Sequence, residues 1–416
     1  MGKFFYISVT SVTLLFLMFS SATIASPEFD KSPVGGDGLD LGPIRFGRIE
    51  VHPGLGFETR YTDNVFLNAD FEGKEEDTVY TIIPSVDIEL ERDAGELFGF
   101  LLLYKGEDEH YDKLRDTQDT FNHNAAARLN FGGPGLRSDL SVGAFYNKSR
   151  NVGNRDFQSN LGNRVDSQTT AGFLDFIYSY SDVLDFQLDL DFKRELYDGS
   201  FSLQNADTYD FGGSTFWQAT PLLAYGFKYN HRIRDYETLS FNNDNSHEDQ
   251  LYLAFKWEPT TLIEGEFSIG IDLIRFQNVS EQDTQNLVYD FNLNYHPRER
   301  TEFYLRGSRK ILDSTFENIQ TFIYSNVGLG FTQKLMDKFK LQVDGIYENR
   351  DYRRPTPSFP NIARKDNNIE SSVALIYQIK WWLQAKAKYN YRQNKSNLDS
   401  VEFTSNTGLF EVSLKY

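Results

Sequence analysis

The last ten residues, Thr407–Tyr416, read TGLFEVSLKY. Their apolar residues occur at every second position: Phe410, Val412, Leu414 and Tyr416. Polar residues fill the positions between them. Strict alternation with a period of two predicts a β-strand with one apolar and one polar face.

An alternating strand that ends on an aromatic residue resembles the C-terminal insertion signal of bacterial outer-membrane β-barrels. In such a barrel the apolar row contacts lipid and the polar row faces water. The alternative is a half-buried strand that closes a soluble protein, and the rest of the chain must decide between the two.

The composition favours a membrane barrel. Aromatic residues make up 15% of the chain, yet the mean hydropathy is −0.49, which suits lipid-facing aromatics that alternate with polar residues. The net charge of −18 excludes nucleic acid as a partner, since phosphate binding needs clustered Lys and Arg. The absence of Cys excludes thiol catalysis, disulfides and Cys-based zinc sites.

Three regions follow from the sequence. Residues 1–25 form a predicted signal peptide, with Lys3 in a short basic start, an apolar core at Val9–Phe19 and cleavage after Ala25. Residues 26–48 are rich in Pro and Gly and predict a flexible periplasmic segment. Residues 49–416 form the predicted barrel, and no later run approaches the roughly 18 apolar residues of a spanning helix.

The barrel region repeats with a period of about forty residues, each period holding strand, long polar segment, strand and short turn. Leu184–Phe192 shows the alternation clearly, whereas 147–167 and 349–366 are predicted loops. A β-propeller would instead need four strands of about five residues per repeat. The pattern predicts an all-β fold, a transmembrane antiparallel up-and-down β-barrel of about 18 strands, with 16 as the alternative. Short turns and both termini are expected in the periplasm and long loops outside.

The first predicted hairpin contains Tyr61-Thr62-Asp63-Asn64-Val65-Phe66, and the chain re-enters the barrel at 77–84. This pattern resembles the family described as Putative beta-barrel porin 2. The resemblance implies an outer-membrane barrel, with some relatives associated with exopolysaccharide assembly and secretion. We interpret the motif residues Tyr61, Asp63, Asn64, Val65 and Phe66 as structural. Asp63 and Asn64 are expected in an Asx turn, and Tyr61 and Phe66 at the membrane interface.

The polar rows of the strands predict the residues that line the lumen. Their charged candidates are Asp185, Asp189, Asp191, Lys228, Arg232, Arg234, Glu264, Glu266, Asp272, Asp290, Lys386, Lys388 and Arg392. Rows of this kind tune the selectivity of a pore, although they can also be solvating or salt-bridged wall residues. Tyr252 and Tyr304 are candidates for stacking on sugar rings.

No catalytic motif stands out. The six His occur in no HExxH motif, and no GxSxG element is present, so the sequence predicts no enzyme, no catalytic residue, no metal site and no cofactor. The acidic segment 72–77 lacks EF-hand spacing and is interpreted as a solvated loop.

The predicted function is a passive conduit in the Gram-negative outer membrane, chiefly for export of an exopolysaccharide or a related surface polymer. The alternatives are a plugged structural or adhesive barrel that acts through its loops, and a general solute diffusion porin. Expected partners are outer-membrane lipid and lipopolysaccharide, the barrel-assembly machinery through the C-terminal strand, a periplasmic polysaccharide-export protein and the exported polymer.

Overall fold

The computed structural model describes residues 44–415 apart from 91–96, 133–135, 152–163, 240–243, 278–282, 315–320 and 357–358. The predicted signal peptide, most of the predicted flexible segment and Tyr416 lie outside the described residues.

Eighteen antiparallel strands form a closed barrel. Each strand from β2 to β19 pairs with the next along the chain, and β19 pairs with β2 from Thr407↔Thr62 to Lys415↔Gly54. The predicted 18-strand barrel is therefore confirmed. The strands are β1 (Ile44–Phe46), β2 (Ile49–Thr62), β3 (Asp77–Leu90), β4 (Phe98–Tyr111), β5 (Thr120–Gly132), β6 (Ser138–Asn151), β7 (Val165–Ser181), β8 (Leu184–Tyr197), β9 (Ala206–Thr220), β10 (Leu223–Tyr236), β11 (Ser246–Thr260), β12 (Ile263–Phe276), β13 (Thr284–Arg298), β14 (Thr301–Asp313), β15 (Thr321–Met336), β16 (Phe339–Thr356), β17 (Phe359–Lys380), β18 (Leu383–Ser396) and β19 (Phe403–Lys415).

Alternation along each strand produces the two faces of the wall. On β8 the outer row presents Phe186 and Leu188, which are 43% and 44% exposed in the absence of lipid. The inner row of the same strand presents Asp185 and Asp189. An apolar outer row is stable only against hydrocarbon, so the barrel spans a membrane and its polar rows face an aqueous lumen.

The two ends of the barrel differ. At the short-turn end, two-residue turns join successive strands at 182–183, 221–222, 261–262, 299–300, 337–338 and 381–382. At the long-loop end, the connections hold a short helix α1 (Arg115–Gln118) and 3₁₀ turns at Gly199–Gln204 and Asp399–Val401. Among the described residues, no helix is long and apolar enough to cross a membrane.

Two segments that were predicted to be irregular are strands. Ile44–Phe46, assigned to the flexible segment, forms β1 and pairs with Ile49–Val51 of β2. Gly47 permits this tight reversal because its φ of +67° is open to glycine at little cost. The predicted loop 349–366 is mostly the long-loop end of the β16–β17 hairpin, since pairing continues as far as Thr356↔Phe359. Its high content of polar residues concealed a strand that continues beyond the apolar band.

Gly226 on β10 provides a test of wall packing. A Cβ atom at this position would overlap the backbone carbonyl oxygen of Thr215 on β9 and lie 2.9 Å from the Phe216 ring. Because a backbone atom cannot move aside cheaply, we expect Gly226→Ala to destabilise the barrel by about 1–3 kcal/mol. The urea midpoint of unfolding in detergent measures this. Gly345→Ala on β16 is the matched control, since no atom lies within 4 Å of its Cβ; equal midpoints for the two variants would contradict the prediction.

Candidate channel lumen

The thirteen charged candidates all lie on inner rows. On β10, for example, Phe227 and Tyr229 of the outer row are 58% and 47% exposed, and Lys228 occupies the inner row between them. Residues directly opposite each other on paired strands share a face. The strand register therefore assigns inner and outer rows on the neighbouring strands as well. The alternation in the sequence thus located these side chains.

Most of the inner basic groups are paired with carboxylates. Lys228 contacts Glu266, and Arg232 lies 2.7 Å from Asp210 and 3.1 Å from Glu248. Lys386 lies 3.7 Å from Glu411. Glu264 accepts a hydrogen bond from Asn294 at 3.0 Å, and Gln250 donates to Asp272 at 3.1 Å. These candidates therefore brace neighbouring strands as well as line the lumen.

An acidic wall lies on β7 and β8. Asp175 stands directly opposite Asp189, and Asp191 stands directly opposite Asp210 of β9. Directly opposed like charges destabilise a sheet. Among the described residues, Asp189 and Asp191 form no ion pair, so both carboxyl groups are available to whatever occupies the lumen. Asp175 was not among the predicted residues, because the inner row of β7 also contains Phe173 and Ile177 and its alternation of polar and apolar residues is weak.

A basic group lies on the opposite wall. In the closed order of eighteen strands, β9 and β18 are diametrically opposed, and β8 is opposed to β17. Lys388 pairs in register with Ala374 and Leu409, so no carboxylate lies directly across from it. Lys388 and Asp189 each follow the first residue of their strand by five positions, which puts them at similar depth from the short-turn end. Both sides of the lumen carry charges of both signs, but Asp189 on one side and Lys388 on the other have no directly opposite partner of the other sign.

The lumen narrows towards the long-loop end. β14 pairs with β13 only up to Arg309, whereas its remaining residues pair only with β15. This free end leans over the lumen. The Arg234 guanidinium on β10 lies 2.6 Å from the Asp313 carboxylate on β14. Strands β11, β12 and β13 lie between them, so the two positions are roughly 19 Å apart along the wall.

Residues beneath this leaning segment are deeply buried. Asp272 and Val288 on the inner rows of β12 and β13 are both 0% exposed. The backbone N–H of Ile311 donates to Asp272, and Arg353 of β16 donates to Asn286. The ends of β14 and β16 thus cross over part of the lumen and constrict it.

A second inward contact narrows the other side of the lumen. Arg164, just before β7, lies 2.8 Å from Glu109 of β4, and Arg60 of β2 lies 2.9 Å from the same carboxylate. The Arg164 side chain is only 5% exposed. A charged constriction therefore forms at the long-loop end, made of groups from strands far apart on the wall.

The motif Tyr61–Phe66 joins the first and last strands of the barrel. Asp63 accepts hydrogen bonds at 2.7 Å from both the backbone and the side-chain amide of Asn406 on β19. Asn64 accepts from the Asn68 backbone at 2.8 Å and donates to the Thr404 carbonyl at 3.3 Å. These contacts are not the expected Asx turn, because Asp63 binds across the β19–β2 seam and Asn64 binds the backbone four residues on.

The apolar members of the motif differ in position. Tyr61 is 46% exposed on the outer face and donates to Glu76 at 2.7 Å. A hydrogen bond from Lys113, together with that of Tyr61, lowers the pKa of the Glu76 carboxyl. Phe66 was predicted at the membrane interface, and this prediction is wrong. The side chain is 4% exposed and packs with Val65 inside the long-loop end. The first loop folds inward, which sequence alternation could not reveal.

The two candidate sugar-stacking residues lie against the wall. Tyr304 lies over Gly330, where any Cβ would overlap its ring, and its hydroxyl donates to Asp344 at 2.5 Å. Tyr252 lies similarly beside Gly270, whose Cβ would come within 2.8 Å of the ring. Phe216 adds a third inner ring, with Lys256 Nζ 3.7 Å from its centroid.

Several proteins of known structure are similar to this chain. OccAB3 of Acinetobacter baumannii superposes with a TM-score of 0.50 at 10% identity, over 88% of this chain and 99% of that chain. The outer membrane protein opdK of Pseudomonas aeruginosa gives 0.47 at 12% identity, over 88% and 99%. The FrpB iron transporter of Neisseria meningitidis gives 0.47 at 10% identity over 83% of this chain, which spans only 62% of that protein. A comparison with curated protein sequences found no match.

The family comparison covers the whole described barrel. The family model described as Putative beta-barrel porin 2 matches residues 42–416, which include all nineteen strands. The predicted family is therefore confirmed, and the fold is that of outer-membrane, porin-like barrels. The chain belongs to the Putative beta-barrel porin 2 family.

Proposed function

We propose that this protein is a diffusion channel for small hydrophilic solutes in the Gram-negative outer membrane. Its short turns and termini would face the periplasm and its long loops the outside. The observation that carries the proposal is the closed eighteen-strand barrel with polar inner rows, in which Asp189 and Asp191 lie across the lumen from Lys388.

Eighteen strands enclose a lumen too wide for side chains to fill, so water occupies it. Low-dielectric walls concentrate the field of the charges that line such a passage. Opposite signs on opposite walls orient a solute that carries both charges, and such a lumen admits polar molecules more readily than apolar ones. The constriction closed by Arg234 and Asp313 favours small solutes over a polymer.

Reversal potentials across planar lipid bilayers test this proposal. A single carboxylate stabilises a cation passing at about 4 Å in water by on the order of 1 kcal/mol. We therefore expect the double variant Asp189→Asn, Asp191→Asn to lower the ratio of cation to anion permeability several-fold. Asp235→Asn, which neutralises a carboxylate on the outer row of β10, is the control and should leave the ratio unchanged. Absence of any conductance in the unaltered barrel would refute the channel and favour a plugged, adhesive barrel.

Export of an exopolysaccharide is the second candidate. Its support is the pair of inner rings at Tyr252 and Tyr304, since flat aromatic faces suit sugar rings. Surface and periplasmic polysaccharide in a strain that lacks the chain distinguish the two functions. Loss of polymer at the surface with retention in the periplasm would favour export, whereas unchanged surface polymer together with conductance would favour solute diffusion. A periplasmic export protein as partner belongs to this second candidate only.

A further inference from the structure

One cluster at the short-turn end joins side chains that the channel function does not use. Glu50 and His52 are two positions apart on the inner row of β2, and Glu89 of β3 stands directly opposite Glu50. One ligand atom from each of these three residues lies within 4.8 Å of the other two. Among the described residues, this is the one group of three His, Asp or Glu side chains that meets this criterion.

The imidazole presents a single atom to both carboxylates. His52 Nε2 lies 3.2 Å from Glu89 Oε1 and 3.7 Å from Glu50 Oε2. This nitrogen is shielded from solvent, yet it makes no hydrogen bond. A shielded nitrogen without a hydrogen bond that faces two carboxylate oxygens is arranged to donate its lone pair to a shared cation.

The two separations that involve His52 are close to those of a tetrahedral zinc site. Ligands bound to zinc at 2.0–2.2 Å lie about 3.3 Å from one another. The distances between His52 and the two carboxylates need to change by only a few tenths of an ångström to reach this value. Three protein ligands leave a fourth position for water.

The donor set also selects the class of metal. Calcium and magnesium take oxygen ligands, whereas imidazole nitrogen suits zinc and its transition-metal neighbours. Without Cys, one nitrogen and two carboxylate oxygens form a borderline site for which zinc is the appropriate ion. We propose that Glu50, His52 and Glu89 bind one zinc ion at the short-turn mouth of the barrel.

Such a site would also fasten β1. Arg45 of β1 binds Glu50 Oε1 at 2.8 Å, so this carboxylate uses one oxygen for β1 and turns the other towards His52. A bound ion fixes the Glu50 carboxylate and with it the ion pair to Arg45. The metal thus links the entry of the chain into the barrel to the β2–β3 wall, independently of what passes through the lumen.

His110 provides an internal contrast. It also lies between two carboxylates, Asp108 and Asp119, each at 3.2 Å. However, Nε2 faces Asp108 and Nδ1 faces Asp119, so the two carboxylates lie on opposite sides of the ring. A single ion cannot reach all three groups, and His110 therefore serves as the matched control.

The experiment is a calorimetric titration of the full-length mature barrel, folded in detergent, stripped of metal and free of any polyhistidine tag. We expect one zinc ion per chain in the unaltered protein and no saturable binding of calcium. Because even outer-shell changes cost about 10–100-fold in metal affinity, His52→Gln and Glu89→Gln should each weaken zinc binding more than about tenfold. His110→Gln should bind zinc as the unaltered protein does.

Cobalt provides a second readout that does not depend on affinity alone. We expect cobalt to give the visible absorption of a four-coordinate site in the unaltered barrel and in His110→Gln, and to lose it in His52→Gln. Heat-dependent migration on gels establishes that each variant is folded, and Glu50→Gln replaces any variant that is not. Absence of saturable zinc binding, equal affinity in folded His52→Gln, or loss of binding in His110→Gln would each overturn the assignment.

Discussion

Asp366→Ala should lower the free energy of unfolding of the barrel by about 3–5 kcal/mol, because it removes one partner of a buried ion pair. Asp366 and Arg364 are both 0% exposed on the inner row of β17. The guanidinium Nε donates to both carboxylate oxygens at 3.0 Å, and Ser396 donates to the same carboxylate at 2.7 Å. The variant leaves a buried arginine without this carboxylate, in a position that water reaches poorly. Denaturant titration of the folded barrel in detergent measures the loss.

The residue between the two partners serves as the control. Lys365 points to the other face of β17 and lies 3.8 Å from Asp351, with its side chain 60% exposed. Solvent-exposed pairs of this kind contribute about 0–1 kcal/mol, so Lys365→Ala should unfold almost as the unaltered barrel does. If the two variants were equally stable, the buried pair would not stabilise the long-loop end.

Arg234→Ala should widen the constriction and raise the single-channel conductance. The guanidinium bridges from β10 to Asp313 on the leaning end of β14 and also lies 3.6 Å from Glu195. Its removal releases the end of β14, which β13 does not hold. Loss of a hydrogen bond between charged groups should also cost about 1.5–3 kcal/mol of stability.

Arg194→Ala is the matched control for this conductance measurement. Arg194 also pairs with a carboxylate near the long-loop end, at 2.8 Å from Glu237, but its side chain lies on the outer row and is 46% exposed. Its removal should change neither conductance nor the urea midpoint appreciably. A rise in conductance in both variants would show that the effect does not come from the lumen. Unchanged conductance in Arg234→Ala would show that the ion pair between Arg234 and Asp313 does not narrow the pore.

The sequence was sufficient to predict the barrel because its information is local. Alternation within single strands, as in Leu184–Phe192, specifies which side chains face inwards, and the short turns specify which strands are neighbours. The strand number therefore followed from short stretches of chain, and the alternation in those stretches is the basis for the thirteen predicted lumen positions. The final strand carried the same signal in Phe410, Val412 and Leu414, which lie on its outer row.

The site geometry was not predictable in this way because it depends on long-range contacts. Glu89 meets His52 only through the β2–β3 register, and Asp313 meets Arg234 only because β14 separates from β13. The inward position of Phe66 likewise depends on how the first loop folds over the wall. None of these contacts leaves a periodic trace in the sequence, and only the assembled barrel brings the groups together.

The seam between β19 and β2 has a consequence for how the barrel is made. Asp63 and Asn406, which join across it, stand 343 residues apart, and among the described strands this seam pairs the two that are most distant in sequence. Loop-closure entropy grows with the logarithm of loop length, and non-local pairing slows folding. Every other pair of neighbouring strands in the barrel is consecutive in sequence, so these hairpins can form one after another. Strands β2 and β19 can pair only when the end of the chain is present. The hydrogen bonds of Asp63 thus stabilise the pairing of β2 with β19, which we expect to be the last and slowest step of folding.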